Sequence, residues 1–455
     1  MRIGTIVPMT HTSSRERFSS DLATVAEVLV PGDGGYAESA TILFAEGTPD
    51  VVVRPRDGAG VAAALRYAAD AGLAVTVRSG GHSMAGLSTN DEGMVIDTRR
   101  INGVHLLDPS SGRVRIGAGA TWGDVAAALR PYGLGLTAGD TAQVGVGGLT
   151  LGGGIGWMVR RHGLAIDNLA AVQLVTADGR LIGADAAEHA DLFWALRGGG
   201  GNFGVAVGFD FIAQPVTTVH YGTITYQADD PRGLIAGWRD LGRDGDENLT
   251  TSLSLMPAAP GRPGVVMLTC CYASADGAEA DKALRPFRAL APIVSDDIKP
   301  MPYADVLEDG SELPPGLRMD VHNTFFSTFD DARIAAVDEL FNGGGAAISL
   351  RGMGGAVARV GQDATAFAHR DAEVMLAAAF LLPEDAPQDV LAQASHRWSR
   401  VSALGCGAYV GFLGSAEPSD VAAAYPTDTY RRLAAVKQRY DPGNVFRRTH
   451  NVLPH

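Results

Sequence analysis

The stretch VVVRPRDGAGVAAALRYAADAGLAVTVRSGGHS, Val51 to Ser83, decides how the fold begins. Val51–Pro55 is a short apolar run suited to a strand, Gly60–Ala71 is a helix-forming run, and Ala74–Arg78 is a second strand. Together they predict a β-α-β unit with a parallel crossover, ending in a loop of small residues and one histidine. Outward from it, strands are expected at Met94–Asp97 and Arg113–Gly117, and Thr121-Trp122-Gly123-Asp124 is a capping box opening a helix to Arg130. Ala171–Thr176 and Arg180–Gly183 flank an Asp178-Gly179 hairpin signal, His189–Leu196 is helical, and Val205–Ile212 is a strand. Pro215 closes this first domain, which spans 1–215 with its core from about 46.

From Val216 to about Tyr409 the pattern changes. Strands at Tyr221–Tyr226, Thr251–Met256, Val265–Tyr272 and Ala347–Leu350 alternate with helical stretches such as Ala332–Leu340. This predicts an antiparallel sheet covered by helices over 216–410, and an α+β class for the whole chain. Residues 411–455 contain a helix, then the turn Tyr440-Asp441-Pro442-Gly443-Asn444, and are expected to return to the first domain.

Composition removes several functions. The chain has 455 residues, 46% hydrophobic, and a net charge of −14, so it offers no basic surface to a phosphate backbone and nucleic acid is a poor partner. Only three of its 37 basic residues are lysine (Lys282, Lys299, Lys437), none preceded by glycine, which excludes a P-loop. Cys270, Cys271 and Cys406 have no metal-ligand or disulfide spacing, so no metal site is expected, and Cys270-Cys271 reads as core. The N-terminus has no secretory pattern, and Val374–Leu382, the longest apolar run, is far below the ~20 residues of a membrane span. A soluble, cytoplasmic protein with no membrane partner is expected.

Glycine supplies 58 residues, concentrated at Gly80-Gly81, Gly145–Gly156, Gly198–Gly204, Gly343–Gly345 and Gly352–Gly355. Such clusters expose backbone N–H groups to a closely approaching ligand. The first lies in Arg78-Ser79-Gly80-Gly81-His82-Ser83, followed by Met84, where the amides and Arg78 suit a pyrophosphate and the imidazole of His82 is a competent nucleophile. In the second, Val144 to Trp157, small apolar residues such as Leu149 separate the glycines, leaving the backbone free to lie along a flat cofactor. The third, Gly199-Gly200-Gly201-Asn202-Phe203-Gly204, satisfies G-x-G-x-x-G but follows a helix and opens a strand, the reverse of a dinucleotide fingerprint.

In this order the segments resemble the berberine bridge enzyme-like flavoproteins of the vanillyl-alcohol oxidase (PCMH-type) superfamily, from about Val51 to the C-terminus. The resemblance implies FAD bonded covalently to His82. It also implies cofactor contacts from Arg78–Met84, Gly139, Asp140, Val144, Gly145, Gly148, Leu149, Gly152, Gly153, Gly156, Trp157, Asp167-Asn168, Asn202, Gly204, Val205, Phe412 and Asn451. Gly354–Val360 with Thr365–Phe367 and His369-Arg370 is similar to the family's substrate-domain signature, and Tyr440–Arg447 to its C-terminal one. Relatives attached twice carry cysteine where this chain has Thr141, and a hydroxyl cannot replace a thiolate at neutral pH, so a single attachment is expected. Several relatives place a glutamate base where Ser349 stands, and their Tyr-x-Asn-Tyr/Phe segment is Tyr409-Val410-Gly411-Phe412 here.

The implied reaction is oxidation of a small alcohol, sugar or amine by hydride transfer to flavin, with reoxidation by O2. Tyr409, expected to have a depressed pKa beside the flavin, is the first candidate base. Arg351 shares a strand face with Ser349 and could bind an acidic or polyhydroxylated substrate; Asp320 and His322 rank lower. A non-redox flavin-containing cyclase or ligand-binding protein is the alternative, and an NAD-dependent dehydrogenase is a third reading.

Overall fold

The computed structural model describes residues 20–227, 229–258, 264–310, 316–343 and 346–455; residues 1–19, and Gly344 and Gly345 of one glycine cluster, lie outside the described residues. The first sheet contains β1 (Ala26–Leu29), β2 (Val51–Pro55), β3 (Val75–Arg78) and β4 (Met94–Asp97), with α1 (Gly58–Ala71) crossing between β2 and β3. Its order is β1-β2-β4-β3, with β2 and β3 both parallel to β4. The expected crossover is present, but β4 separates its two strands. The reason lies in β4 itself, because Met94, Val95 and Ile96 are all fully buried and a strand apolar on both faces belongs at the centre of a sheet. The side chain of Asp57 caps α1 by accepting from Gly60 N at 2.9 Å.

The second sheet contains β5 (Val104–Asp108), β6 (Arg113–Gly117), β7 (Leu169–Val175), β8 (Leu181–Asp185) and β9 (Val205–Ile212), in the antiparallel order β8-β7-β9-β6-β5. Its helices are α2 (Trp122–Leu129), opened by the Thr121/Asp124 capping box, α3 (Val146–Gly152) and α4 (Ala190–Leu196). Within the glycine-rich stretch that the sequence reading laid along a flat cofactor, Val146–Gly152 forms the helix α3. Val146, Thr150 and Leu151 are buried, and their packing overrides the poor helix propensity of Gly147, Gly148 and Gly152.

The third sheet contains β10 (Thr218–Tyr226), β11 (Leu249–Met256), β12 (Val265–Tyr272), β13 (Ile293–Asp296), β14 (Lys299–Pro302), β15 (Leu317–Phe326), β16 (Ala346–Gly352) and β17 (Val374–Pro383). The antiparallel order is β13-β10-β12-β11-β16-β17-β15, with β14 beside β10. On one face Leu253, Leu255, Ile348, Leu350, Leu376 and Phe380 pack under α5 (Pro231–Arg243), α6 (Gly277–Arg288), α7 (Asp331–Asn342) and α8 (Gln388–Ser402). Each such buried side chain stabilises by about 1.5–3 kcal/mol. The alternate residues of β11, β15, β16 and β17 are left for the other face. Cys270 and Cys271 are fully buried in different clusters on opposite sides of β12, and burial pushes the Cys271 thiol up to about 12.

The last two helices are α9 (Pro418–Ala424) and α10 (Thr427–Tyr440). Arg439 and the Tyr440 hydroxyl reach Asp191 of α4 at 2.9 and 3.1 Å. Lys437 and Asp441 form a fully buried ion pair at 2.8 Å, and Lys437 Nζ also donates to the carbonyls of Asn202 (2.8 Å) and Phe446 (2.9 Å). The tail is thereby pinned beside the Gly199–Gly204 loop; removing either charge would leave the other buried alone, at a cost of about 3–5 kcal/mol. Among the described residues no helix is long and apolar enough to cross a membrane.

Candidate active site

One cavity of about 630 Å³ is lined from all three sheets and from the tail. Its first wall is backbone. The loop after β3 brings Gly80 against Gly145, at the start of α3, so closely that a Cβ on Gly80 would lie 2.3 Å from Gly145 N, and one on Gly145 would lie 2.2 Å from Gly80 N. Only glycine at both positions lets the two loops meet. Ser79 joins them, donating to Ala118 O at 2.7 Å and accepting from Gly147 N at 3.3 Å. Gly148, where a Cβ would meet nothing within 4 Å, opens onto the cavity.

His82 lies at this wall, and burial, followed by the charge of Arg78, holds its pKa below the ordinary value. Its imidazole is therefore mainly neutral and nucleophilic at neutral pH. A Cβ placed on Gly310 would be 3.7 Å from His82 and 3.5 Å from Thr141, so these two side chains flank the same spot.

The facing wall is made of side chains from the helix-free side of the third sheet. Ser254 and Met256 of β11, Met319 and Val321 of β15, Ala347, Ser349 and Arg351 of β16, and Ala377 and Ala379 of β17 all line it. Register brings Ser254 opposite Ser349, and Ser349 opposite Ala377. The Ser349 hydroxyl lies 3.0 Å from that of Ser252. Arg351 is 7% exposed and donates from Nη2 to Asp140 Oδ2 at 2.6 Å and from Nη1 to Ile155 O at 3.3 Å. Burial raises the Asp140 pKa, but the guanidinium of Arg351 outweighs it and holds the carboxyl below its usual range.

Tyr409 completes this end, its oxygen accepting from Gly154 N at 3.1 Å. The groups that the protein itself places around Tyr409 do not depress its pKa. Burial pushes the phenol up to about 12, against the opposing pull of the backbone amide and Arg351, so at neutral pH it is a hydrogen-bond donor and no phenolate.

The structure brings Ser79–Met84, Gly139, Asp140, Val144, Gly145, Gly148, Leu149, Gly152, Gly204, Ser349, Arg351, Tyr409 and Phe412 to the cavity. Others take different positions. Arg78 is outside the cavity lining, donating to the carbonyls of Ser39 and Thr41 and standing 3.9 Å from Asp97, so it braces the loop. Asn202 is fully buried with its side chain committed to Gly199 O, His450 O and Val452 N, and Val205 is core. Gly153 packs on Phe367, Gly156 on Ala138, and Trp157 on Tyr221 with Arg351 over its ring at 5.6 Å. Asp167 forms a two-pronged pair with Arg370 at 2.7 and 2.8 Å and Asn168 holds the carbonyls of His162 and Leu164, which makes this segment a brace. Asp320 and His322 pair at 3.2 Å on the opposite sheet face, where His322 stacks on Trp398.

The sequence reading missed the lining residues Tyr425, Arg448, Thr449 and His450, and the wall supplied by β15 and β17. The apolar run Val374–Leu382 was the available signal for β17.

The donor set suits FAD. A glycine wall offers backbone approach, and of the buried polar atoms without a partner among the described residues, Tyr425 Oη belongs to a lining residue and Asn451 Oδ1 lies next to the lining His450. These features define a flavin-binding protein, and residues 49–185 match the family model for the FAD binding domain, residues 408–453 the model for berberine and berberine-like proteins. The chain is 31% identical to (R)-6-hydroxynicotine oxidase of Paenarthrobacter nicotinovorans, covering 96% of this chain and 99% of that one. It is 29% identical to an FAD-linked oxidoreductase of Bacillus subtilis, covering 94% and 96%. The structure of 6-hydroxy-D-nicotine oxidase from Arthrobacter nicotinovorans superposes with a TM-score of 0.85 at 28% identity, over 96% of this chain and 100% of the other. Glucooligosaccharide oxidase of Acremonium strictum, a 6-S-cysteinyl, 8α-N1-histidyl FAD protein, shares the fold (TM-score 0.83, 22% identity, 96% and 99% covered). The chain belongs to the berberine bridge enzyme-like family of FAD-linked oxidases.

Proposed function

We propose that this enzyme oxidises a small, largely apolar amine in its uncharged form, with FAD attached through His82 alone and O2 as electron acceptor. FAD, when bound, takes a hydride equivalent from the substrate and passes two electrons to O2 to give hydrogen peroxide. The carrying observation is that His82 and the Tyr409–Arg351 end face one cavity across a wall of Met256, Met319, Val321, Ala377 and Ala379. That wall suits an apolar body better than a sugar chain. The full-length likeness to a nicotine-type amine oxidase supports the same choice.

Among the described residues lining the cavity, the one carboxylate, Asp140, is engaged by Arg351, and Tyr409 is protonated. An amine entering as the free base brings no surplus proton to remove. Tyr409, whose oxygen is already an acceptor for Gly154 N, can direct its own proton at a substrate nitrogen or oxygen and orient it. Thr141, at 3.1 Å from Asp140 Oδ1, is no thiolate, which supports one covalent bond.

The test is acid precipitation followed by anaerobic substrate addition. Flavin should stay with the pellet of the natural protein and leave with the supernatant for His82→Ala. Amines should bleach the flavin; bleaching by oligosaccharides and by no amine would overturn the substrate class.

A further inference from the structure

The Asp140–Arg351 pair joins two parts of the molecule. Asp140 sits on the loop before α3, next to Thr141, while Arg351 projects from β16 of the third sheet. Both line the cavity, and the guanidinium also rests over Trp157. Each charge is matched by the other at 2.6 Å, Asp140 Oδ1 takes the Thr141 hydroxyl, and Arg351 Nη1 takes Ile155 O. Of the three guanidinium nitrogens, Nε alone is without a partner among the described residues, and it is buried.

We infer that Asp140 determines substrate charge: by neutralising Arg351 it closes the cavity to anions, while Arg351 closes it to cations, leaving it to uncharged molecules. An entering carboxylate would have to displace Asp140 from Arg351 or sit beside it, like charge against like charge in a partly desolvated site. An entering cation meets the mirror problem. Arg448, the remaining charged side chain among the described lining residues, lies on the tail, where it donates to Thr89 O at 3.0 Å. The inference rests on the proposed function only in placing the substrate against this wall.

Benzoate, benzamide and benzamidinium are planar isosteres of charge −1, 0 and +1, and calorimetry on the yellow holoenzyme near pH 7 compares them directly. Benzamide should bind at least tenfold more tightly than either ion. Any other ranking, including no binding of all three, overturns the inference. Asp140→Asn should move the preference to benzoate and Arg351→Gln to benzamidinium, each by at least tenfold; unchanged preferences in both folded variants overturn it as well. If the variants do not fold, the ranking on the natural protein decides. A colourless protein sinks the flavin reading, whereas a yellow protein with the wrong ranking sinks this inference alone.

Discussion

The two walls of the cavity are built on opposite principles. The wall carrying His82 is backbone packed on backbone, with Gly80 and Gly145 in mutual contact and Ser79 tying them together. The wall on the third sheet is a set of side chains standing on regular strands, where the backbone is already satisfied by its neighbours. Holding a large, invariant cofactor calls for closely placed amides, while choosing among substrates calls for replaceable side chains. The first wall should therefore tolerate almost no change of shape, and the second should tolerate changes that alter kinetics without altering the fold.

The severest outcome is expected at the glycine contact. Gly145→Ala places a methyl 2.2 Å from both Gly80 N and Ser79 Oγ, so at least one loop must move. FAD retained per chain should fall more than tenfold, read from flavin absorbance against protein. Gly148→Ala is the control, because its methyl meets no protein atom within 4 Å. Its Tm in the flavin-free state should stay within about 1 °C, inside the usual range for a surface change. Any loss of FAD from that variant then reports the cofactor's own contact. If Gly145→Ala keeps a full complement of flavin, the account of the backbone wall is wrong.

An intermediate loss is expected for Tyr409→Phe, where the walls meet. Removing the hydroxyl withdraws a donor from the substrate and leaves Gly154 N without its acceptor, the latter costing about 1–3 kcal/mol of stability. kcat/KM should fall by about 10²-fold, the order found when one preorganised donor is deleted. The pH profile distinguishes donor from base. With the phenol raised to about 12, the neutral form persists across the working range, so the natural enzyme should show no limb that disappears in the variant between about pH 7 and 10. A limb of that kind would restore Tyr409 as a phenolate base.

What could be read beforehand follows the same division. The β-α-β unit, the Thr121 capping box and the Asp178-Gly179 hairpin are local, each carried by a few adjacent residues, and the chain order of the glycine loops carried the family. The roles of Arg78 and Asn202 were not legible, because their partners, Ser39 and Asp97 for one and the tail carbonyl of His450 for the other, are remote in sequence. The strand β17 was hidden for another reason. It lies between β16 and β15 with apolar residues on both faces, including Ala377 and Ala379 on the cavity side, so its sequence has no period-two alternation to mark it. The protein's own upward push on the Tyr409 pKa was not legible because burial, the dominant effect there, is a property of the assembled walls.

The mildest change belongs to the sheet wall. Ser349 stands where the family resemblance implies a glutamate; its hydroxyl is paired across the strands with Ser252 at 3.0 Å and is no base at neutral pH. Ser349→Ala removes one hydroxyl from a wall already rich in alanine and leaves its partner Ser252 free to rotate toward another acceptor. The net worth of such a neutral bond is about 0.5–1.5 kcal/mol, so Tm should move by no more than a few degrees. If the serine pair touches substrate, KM should rise by about two- to fivefold with kcat unchanged, since a contact held equally in the ground and transition states affects binding alone. A fall in kcat of a hundredfold or more would instead make Ser349 part of the chemistry, and the sheet wall would then do more than select.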